Sequence, residues 1–478
     1  MKTLSHVNDL AEHYDLVVIG AGPAGMAAAT LAADKGAQVL LVDENPTFGG
    51  QIYRAVSSTP LKDRALLGAD YWKGEAIGAA FSQSQADYFP GATVWQLSPE
   101  LELGISSGGR TAVLHARRVI MATGALERPM PIKGWTLPGV MTAGAAQILL
   151  KTSGVAVSGK VVLAGCGPLL WLIAAQYLAA GKRFDAILDT TPRGNWRTAM
   201  KDLPGFLTSP YLAKGLKLMA KVRRQAKIIS GVTALAAEGE GHLARVRYTA
   251  GGREVVIEAD HLLLHQGVTP NINMASASNC ELEWDDAQLA WKPKLDDWGN
   301  TTVPGIAISG DGAGIAGAEA AAERGRITAL DALAGLGIIS IAQRDEQAKP
   351  IRSELNRYDR GRVFLDRLYQ PAQQFRVAGE DTIACRCEEV TGGQIRKAVT
   401  TLNIAGPNQL KSFLRCGMGP CQGRLCGLTV SETIAEARGS TPEAVGYYRL
   451  RAPVKPVTLA ELASLKQSET EIRTVARG

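Results

Sequence analysis

Cysteine and histidine are scarce in this 478-residue chain, seven and six respectively, and no Cys-x-x-Cys pair occurs anywhere. That gap excludes redox-dithiol chemistry and the usual zinc knuckles. Seven cysteines are also too few to staple a chain of this length. Aromatic residues make up only 6%, do not interleave with basic ones, and the formal net charge is a mild +6. Nucleic acid is therefore not an expected partner. The stretch Met1 to Tyr14 carries Asp9, Glu12 and two histidines where a secretory signal needs an apolar core. Two charge-free runs, Leu16 to Ala33 and Val161 to Gly181, approach the ~20 residues of a membrane span. Each, however, reads as a β-branched segment, a Gly/Pro turn and an Ala-rich segment, a bend that argues against a spanning helix. A soluble, cytoplasmic protein is expected.

Glycine, in contrast, is abundant. Its 52 residues are about 11% of the chain against a usual ~7%, which suits tight turns and close backbone approach to ligands. At about 150 residues per domain the length suggests roughly three domains. Asp15 to Ile19 reads as a buried parallel strand, and Gly20-Ala21-Gly22-Pro23-Ala24-Gly25 follows at once. A helix over Met26 to Lys35 comes next, then a strand over Gln38 to Val42 ending in Asp43 with Glu44 beside it. Gly20 permits the sharp turn, Gly22 lets backbone approach a pyrophosphate, and Gly25 lets helix and strand pack closely. Asp43 stands where an acid accepts a ribose hydroxyl. A second unit of the same pattern starts near Ser158, with a strand over Lys160 to Ala164, the turn Gly165 to Leu170, a helix over Trp171 to Ala180 and a strand over Phe184 to Leu188. Here Leu170 takes the third glycine's place, and it is expected to push helix from strand and crowd the phosphates. Asp189 favours a free 2′-hydroxyl, the leucine disfavours NAD(P)H, and a degenerate domain or one holding another adenine nucleotide is expected instead. The basic run Lys214 to Lys227 reads as a solvated helix face, with a contact to another protein or a membrane surface as the alternative.

Five of the seven cysteines fall in one C-terminal region, Cys385-Arg-Cys387, Cys416, Cys421 and Cys426. Thiolates in glycine- and arginine-flanked loops suit an iron–sulfur cluster; zinc and unligated core cysteines are the weaker alternatives.

The first glycine turn and three further segments resemble the two-dinucleotide-domain flavoproteins. Gly49-Gly50-Gln51 resembles their loop beside the flavin, and Val119 to Gly124, ending in Thr123-Gly124, resembles their Ala-Thr-Gly segment. Gly305 to Asp311, ending in Gly310-Asp311, resembles their second FAD motif. The resemblance implies FAD held by Gly20, Ala21, Gly22, Pro23, Gly25, Asp43, Glu44, Gly50, Gln51, Thr123, Gly124, Gly310 and Asp311. It also implies an α/β fold of two Rossmann-like domains. The FAD domain would span 1–157 and 260–345, interrupted by an NAD-like insert over 158–259. A polar linker from about Gln343 to Arg362 would lead to a small cluster domain over 364–478, with an extended tail after Ala452.

The cysteine region resembles a ferredoxin-like [2Fe–2S] domain, which implies Cys385, Cys387, Cys421 and Cys426 as ligands. Cys416, at the same spacing from Cys421, is the spare or the replacement for Cys426. With Gly124 to Gln147 and the insert's Gly-Pro-Leu-Leu, the chain resembles the α-type subunits of heteromeric opine oxidases, dye-linked proline and hydroxyproline dehydrogenases, and hydrogen cyanide synthases. The partner implied by that family is a substrate-oxidising flavoprotein β subunit. Some members add a small third subunit, some hold an FMN at the interface between chains, and the implied acceptor is a quinone or dye. The expected role is electron transfer from an oxidised amine, amino acid or opine. A self-contained NAD(P)H-dependent flavin and iron–sulfur reductase is the alternative. No histidine follows His265, so the C-terminal base of the disulfide-reducing relatives is missing, and the sequence offers no clear base for a substrate proton.

Overall fold

The computed structural model describes residues 1–465. The buried run His13–Ile19 is the centre of an eight-stranded sheet, flanked in parallel by Val39–Asp43 and Arg110–Met121. Asp87–Pro90 and Lys2–Thr3 extend one edge, Ile306–Ile308 pairs with Arg110–Met121, and an antiparallel meander over Thr93–Leu97 and Glu102–Ser107 forms the other edge. Two helices, Pro23–Asp34 and Ala318–Gly335, lie against this sheet in close contact. The contact depends on small residues, because a Cβ on Gly325 would meet the Ala24 backbone.

A second, five-stranded parallel sheet runs in the order Ile228–Ser230, Ala186–Asp189, Val161–Cys166, His261–Gln266, Val140–Thr142. Two of these strands fall outside the expected insert of 158–259. The chain crosses between the two units on Ala125–Glu127 and Val268–Pro270, and the two crossings pair with each other. An antiparallel three-stranded sheet over Val232–Glu238, Arg245–Ala250 and Arg253–Glu258 covers one face of this unit. Both charge-free runs are strand–turn–helix units, and no helix of the described residues is long and apolar enough to cross a membrane.

The expected polar linker is mostly helix. Ile341–Asp359 is continuous despite Pro350, starts in a Ser340/Gln343 capping box, and buries Ala348 and packs Ile351 and Leu355 against the first core. The segment from Arg362 to Phe375, largely expected in the cluster domain, packs on the second unit instead: Phe364 and Leu368 join Ala199, and Phe375 joins Leu188 and Val232. The third core begins at Ala378 and contains Cys385, Cys416 and Cys426, under the helices Gly392–Leu402, Pro407–Leu414 and Gly427–Arg438. After Ala452 the chain is not merely extended. Val454 donates its N–H to the Trp95 carbonyl at 2.9 Å, a short helix forms over Leu459–Ala463, and Ser464 accepts the Thr111 N–H. The remainder of that expected tail, 466–478, lies outside the described residues.

Candidate functional site

Four separate glycine-rich segments meet at the start of the helix Pro23–Asp34. A Cβ on Gly20 (φ +107°) would lie 2.5 Å from the Ala122 carbonyl oxygen, and one on Gly25 would overlap the Gly20 carbonyl. Gly50 (φ +60°) lies across the turn, where a Cβ would come 2.9 Å from the Gly22 Cα, and Gly49 donates its N–H to the Ala21 carbonyl at 2.8 Å. Gly310 packs on Ala24 and Gly312 on the Gly124 backbone. No side chain caps the helix at Gly22, and Pro23 at its first turn donates no N–H. The result is a bare backbone concavity at a helix start, a place suited to a phosphate pair.

The carboxylate of Asp43 is 7% exposed and ties this turn together. Its Oδ2 accepts the Ala21 N–H at 2.6 Å, and its Oδ1 accepts the backbone N–H and Nδ2 of Asn45, both at 2.7 Å. Glu44 turns outward to an ion pair with Lys455 at 2.5 Å. Thr123 donates its hydroxyl to the Asn271 carbonyl at 3.3 Å, and Asn271 returns its N–H to the Gly124 carbonyl. Asp311 Oδ1 accepts the N–H groups of Ala316 and Gly317 at 2.9 and 3.0 Å, shaping the start of the next helix. The Ser309 hydroxyl beside it is buried without a protein partner, as suits a wall meant for a polar ligand.

Lys151 is a member of the site that sequence reasoning misses. It sits 1% exposed on the helix Ala143–Ser153 and donates to the carbonyls of Gln51 and Ile52 at 3.2 and 3.0 Å, holding the Gly49–Ile52 loop. Burial, with Arg54 nearby, pulls its ammonium down to about 7. The only sequence signal is a lysine in an otherwise apolar helical stripe.

The second turn differs. Leu170 is fully buried in the core beside Ala146, Leu163 and Trp171, so it fills space behind the helix rather than crowding the phosphates. His265 lies against Gly167, with its Nδ1 2.6 Å from Glu127 Oε1 and its Nε2 accepting the Gly267 N–H at 3.3 Å. With Nε2 an acceptor, Nδ1 carries the proton. Most of the basic run forms the exposed face of the helix Tyr211–Arg223, and its Lys214 pairs with Asp70 at 2.5 Å.

All five C-terminal cysteines lie together. The Cys385 thiol faces those of Cys416 and Cys426, and these two neighbours draw it well below the ordinary thiol range. Cys421 faces Cys426 and Cys387 and is drawn down to about 5, chiefly by Cys426. Cys387 is the exposed member; Cys416 is fully buried and pushed up by Cys385. Among the described residues no three metal-binding side chains converge on one ion position. A two-iron cluster asks instead for pairs of sulfurs, and facing pairs are what these loops present. Gly417 and Gly423, both at positive φ, let the loops press on the Tyr448 ring, whose hydroxyl is buried, unpartnered and next to Cys426, Cys416 and Cys385.

The two places are bridged. Asn271 holds Thr123 and Gly124; two residues on, Asn273 donates to the Gln422 carbonyl at 2.9 Å, between Cys421 and Cys426. Ser276 donates to the Tyr448 carbonyl at 3.1 Å.

Residues 14–325 match the pyridine nucleotide-disulphide oxidoreductase family. The chain is 47% identical to the first (A-type) subunit of an opine oxidase from Rhizobium meliloti, covering 99% of this chain and 92% of that one. It belongs to this family of FAD-dependent oxidoreductase subunits. The corresponding opine oxidase subunit of Agrobacterium tumefaciens is 48% identical over 99% of this chain and 96% of its own. The hydrogen cyanide synthase subunit HcnB of Pseudomonas aeruginosa is 32% identical over 94% and 98%. Residues 384–465 match the sarcosine oxidase A3 domain. The L-proline dehydrogenase structure from P. horikoshii shares the family fold, with a TM-score of 0.68 over 96% of this chain and 80% of that one at 18% identity.

Proposed function

We propose that this chain is the electron-transfer subunit of a heteromeric dehydrogenase or oxidase acting on an amine, amino acid or opine. FAD lies in the Gly20–Gly25 cradle and a [2Fe–2S] cluster on Cys385, Cys387, Cys421 and Cys426. Bound there, FAD supplies two-electron acceptance and the cluster supplies one-electron steps. The observation that carries the reading is the Asn271–Ser276 bridge, which fastens the Thr123–Gly124 wall to the loop between Cys421 and Cys426.

The residues divide the work as follows. Gly20, Gly22, Gly25, Gly49 and Gly50 leave room for the pyrophosphate and the flavin-side loop. Ala21 and Pro23 give the turn its shape, and Asp43 fixes it, with a lone pair left on Oδ2 for a ribose hydroxyl. Gly124 and Gly310–Asp311 line the opposite wall, and Lys151 positions the Gln51 backbone. Glu44, paired with Lys455, closes the outer edge. Cys416 stays a thiol packed behind Cys385.

The subunit names of the relatives support a multi-subunit assembly. In this reading a flavoprotein β subunit breaks the substrate C–H bond, an FMN sits where the two chains meet, and a small third subunit completes the complex. A quinone or dye takes the electrons, in the cytoplasm or at the membrane surface. The test is anaerobic purification with a visible spectrum, flavin extraction and an iron count. FAD and two irons per chain are expected; Cys387→Ser and Cys426→Ser should remove the iron and spare the flavin, whereas Cys416→Ser keeps both. A colourless zinc protein, or an isolated chain that oxidises an amine alone, overturns the proposal.

A further inference from the structure

The mouth of the second glycine turn is filled from two sides by the chain itself. From one side comes His265, buried against Gly167 and backed on its Nδ1 by the Glu127 carboxylate, a negative charge close behind a position where a pyrophosphate needs positive surroundings. From the other comes the segment Arg362 to Phe375, some 200 residues away in sequence. The Cys166 thiol, inside the turn, donates to the Tyr369 carbonyl at 3.5 Å. The Tyr369 ring lies among Trp171, Asp189 and Arg223, and its hydroxyl is pushed up to about 12 by burial and then by the Asp189 charge. Asp189 is the acid that a ribose would have to reach.

The segment is held along its whole length. Asn195 donates to the Leu368 and Gln370 carbonyls at 3.0 and 2.9 Å, and Gln266, at the end of its strand, donates to the Phe375 carbonyl at 2.8 Å. Phe364 stacks on Phe206 with ring centres 4.3 Å apart, and Arg367 pairs with Asp202. Beyond Tyr369 a cavity of about 350 Å³ remains among Thr190, Arg193, Gly231 and Gly252, roofed by Ala372 and Gln374. No residue of Gly165–Leu170 lines it, whereas Ala372 and Gln374 of the strap do.

We propose that the strap Tyr369–Phe375 permanently takes the place of a nicotinamide dinucleotide in the second unit, with Tyr369 standing in the ribose position. The excluding element is thus a distant tyrosine rather than the leucine of the turn. The consequence is specificity of electron entry: NADH cannot be a donor, and reducing equivalents arrive only through a docked protein. This goes beyond the relay role proposed above and is tested without the partner.

The full-length chain with its FAD is titrated anaerobically with NADH while flavin absorbance is followed, and amide exchange is read with and without millimolar NADH. Expected are no saturable bleaching, and protection over Tyr369–Val377 that NADH leaves unchanged. Saturable bleaching, or loss of that protection when NADH is added, would make the strap a displaceable lid and overturn the proposal. In a second arm, Tyr369→Gly should bind NADH at least about tenfold more tightly than the limit set by the wild type, while Tyr369→Phe should not. A folded Tyr369→Gly chain that binds no better than wild type would also overturn it, and should the variant fail to fold, the exchange experiment decides alone.

Discussion

The two glycine turns are built on one pattern and differ in what lies over them. At Gly20–Gly25 the neighbours over the helix start are glycines: Gly50 faces Gly22, and Gly310 presses on Ala24. At Gly165–Leu170 larger residues take the same position, with the His265 ring against Gly167 and the Tyr369 carbonyl on the Cys166 thiol. A strand–turn–helix unit is thus a stable piece of architecture whether or not it holds a ligand, and a site exists only where the rest of the chain stays away.

That contrast can be broken at either turn. Gly25→Val should have the largest effect: its side chain has no room against the Gly20 carbonyl, so FAD content should fall more than about tenfold, read by flavin extraction. Leu170→Ala attacks the other turn and should cost about 2–5 kcal/mol in denaturant unfolding while leaving a folded chain's flavin in place, because Leu170 serves only the core. A loss of FAD instead of stability would erase the distinction. Asp43→Ala removes the carboxylate that clamps the first turn, and a loss of about 1.5–3 kcal/mol in FAD binding is expected from a flavin titration.

A pH-dependent effect concerns Lys151, which joins a helix of the second unit to the loop over the first turn. Its folded pKa is about 7 against an ordinary 10.5, so between those values the unfolded chain binds a proton that the folded chain has released. Stability from this group therefore rises with pH across that window and is lowest below pH 7. In thermal melts, the midpoint of Lys151→Met should gain on wild type most at about pH 6.5 and least near about pH 10. Equal differences at both ends would show that the ammonium is not buried as described.

The first turn can be read from sequence because each of its requirements is local: strand, glycine spacing and acid lie within one short stretch. The three segments around it are legible only by resemblance, since nothing in Thr123 or Asp311 alone says that they meet. Leu170 stands out in the sequence, but its direction does not, because a side chain at a turn can point to core or ligand and only packing decides. The strands Val140–Thr142 and His261–Gln266 join the second sheet rather than the first, and runs of two or three apolar residues do not say which sheet they enter. Ile341–Asp359 passes for a linker on its charge and Pro350, although Ser340 and Gln343 spell a capping box. Tyr369 carries no signal at all. Its partners are nearly two hundred residues upstream, and no periodicity records such a meeting.

The helix Gly427–Arg438 carries Glu432, 2% exposed, between Arg376 at 2.5 Å and Arg128 at 3.9 Å; Arg128 is itself buried and further anchored on the carbonyls of Gln288 and Leu289. Charges shut away from water in this way are little screened by salt, and taking one out strands the others. The joint between the thiol-bearing lobe and the strand beside Glu127 is therefore stiff and indifferent to ionic strength. In the electron-relay role proposed above, such a joint without play would hold the gap between flavin and cluster constant, and tunnelling depends steeply on that gap.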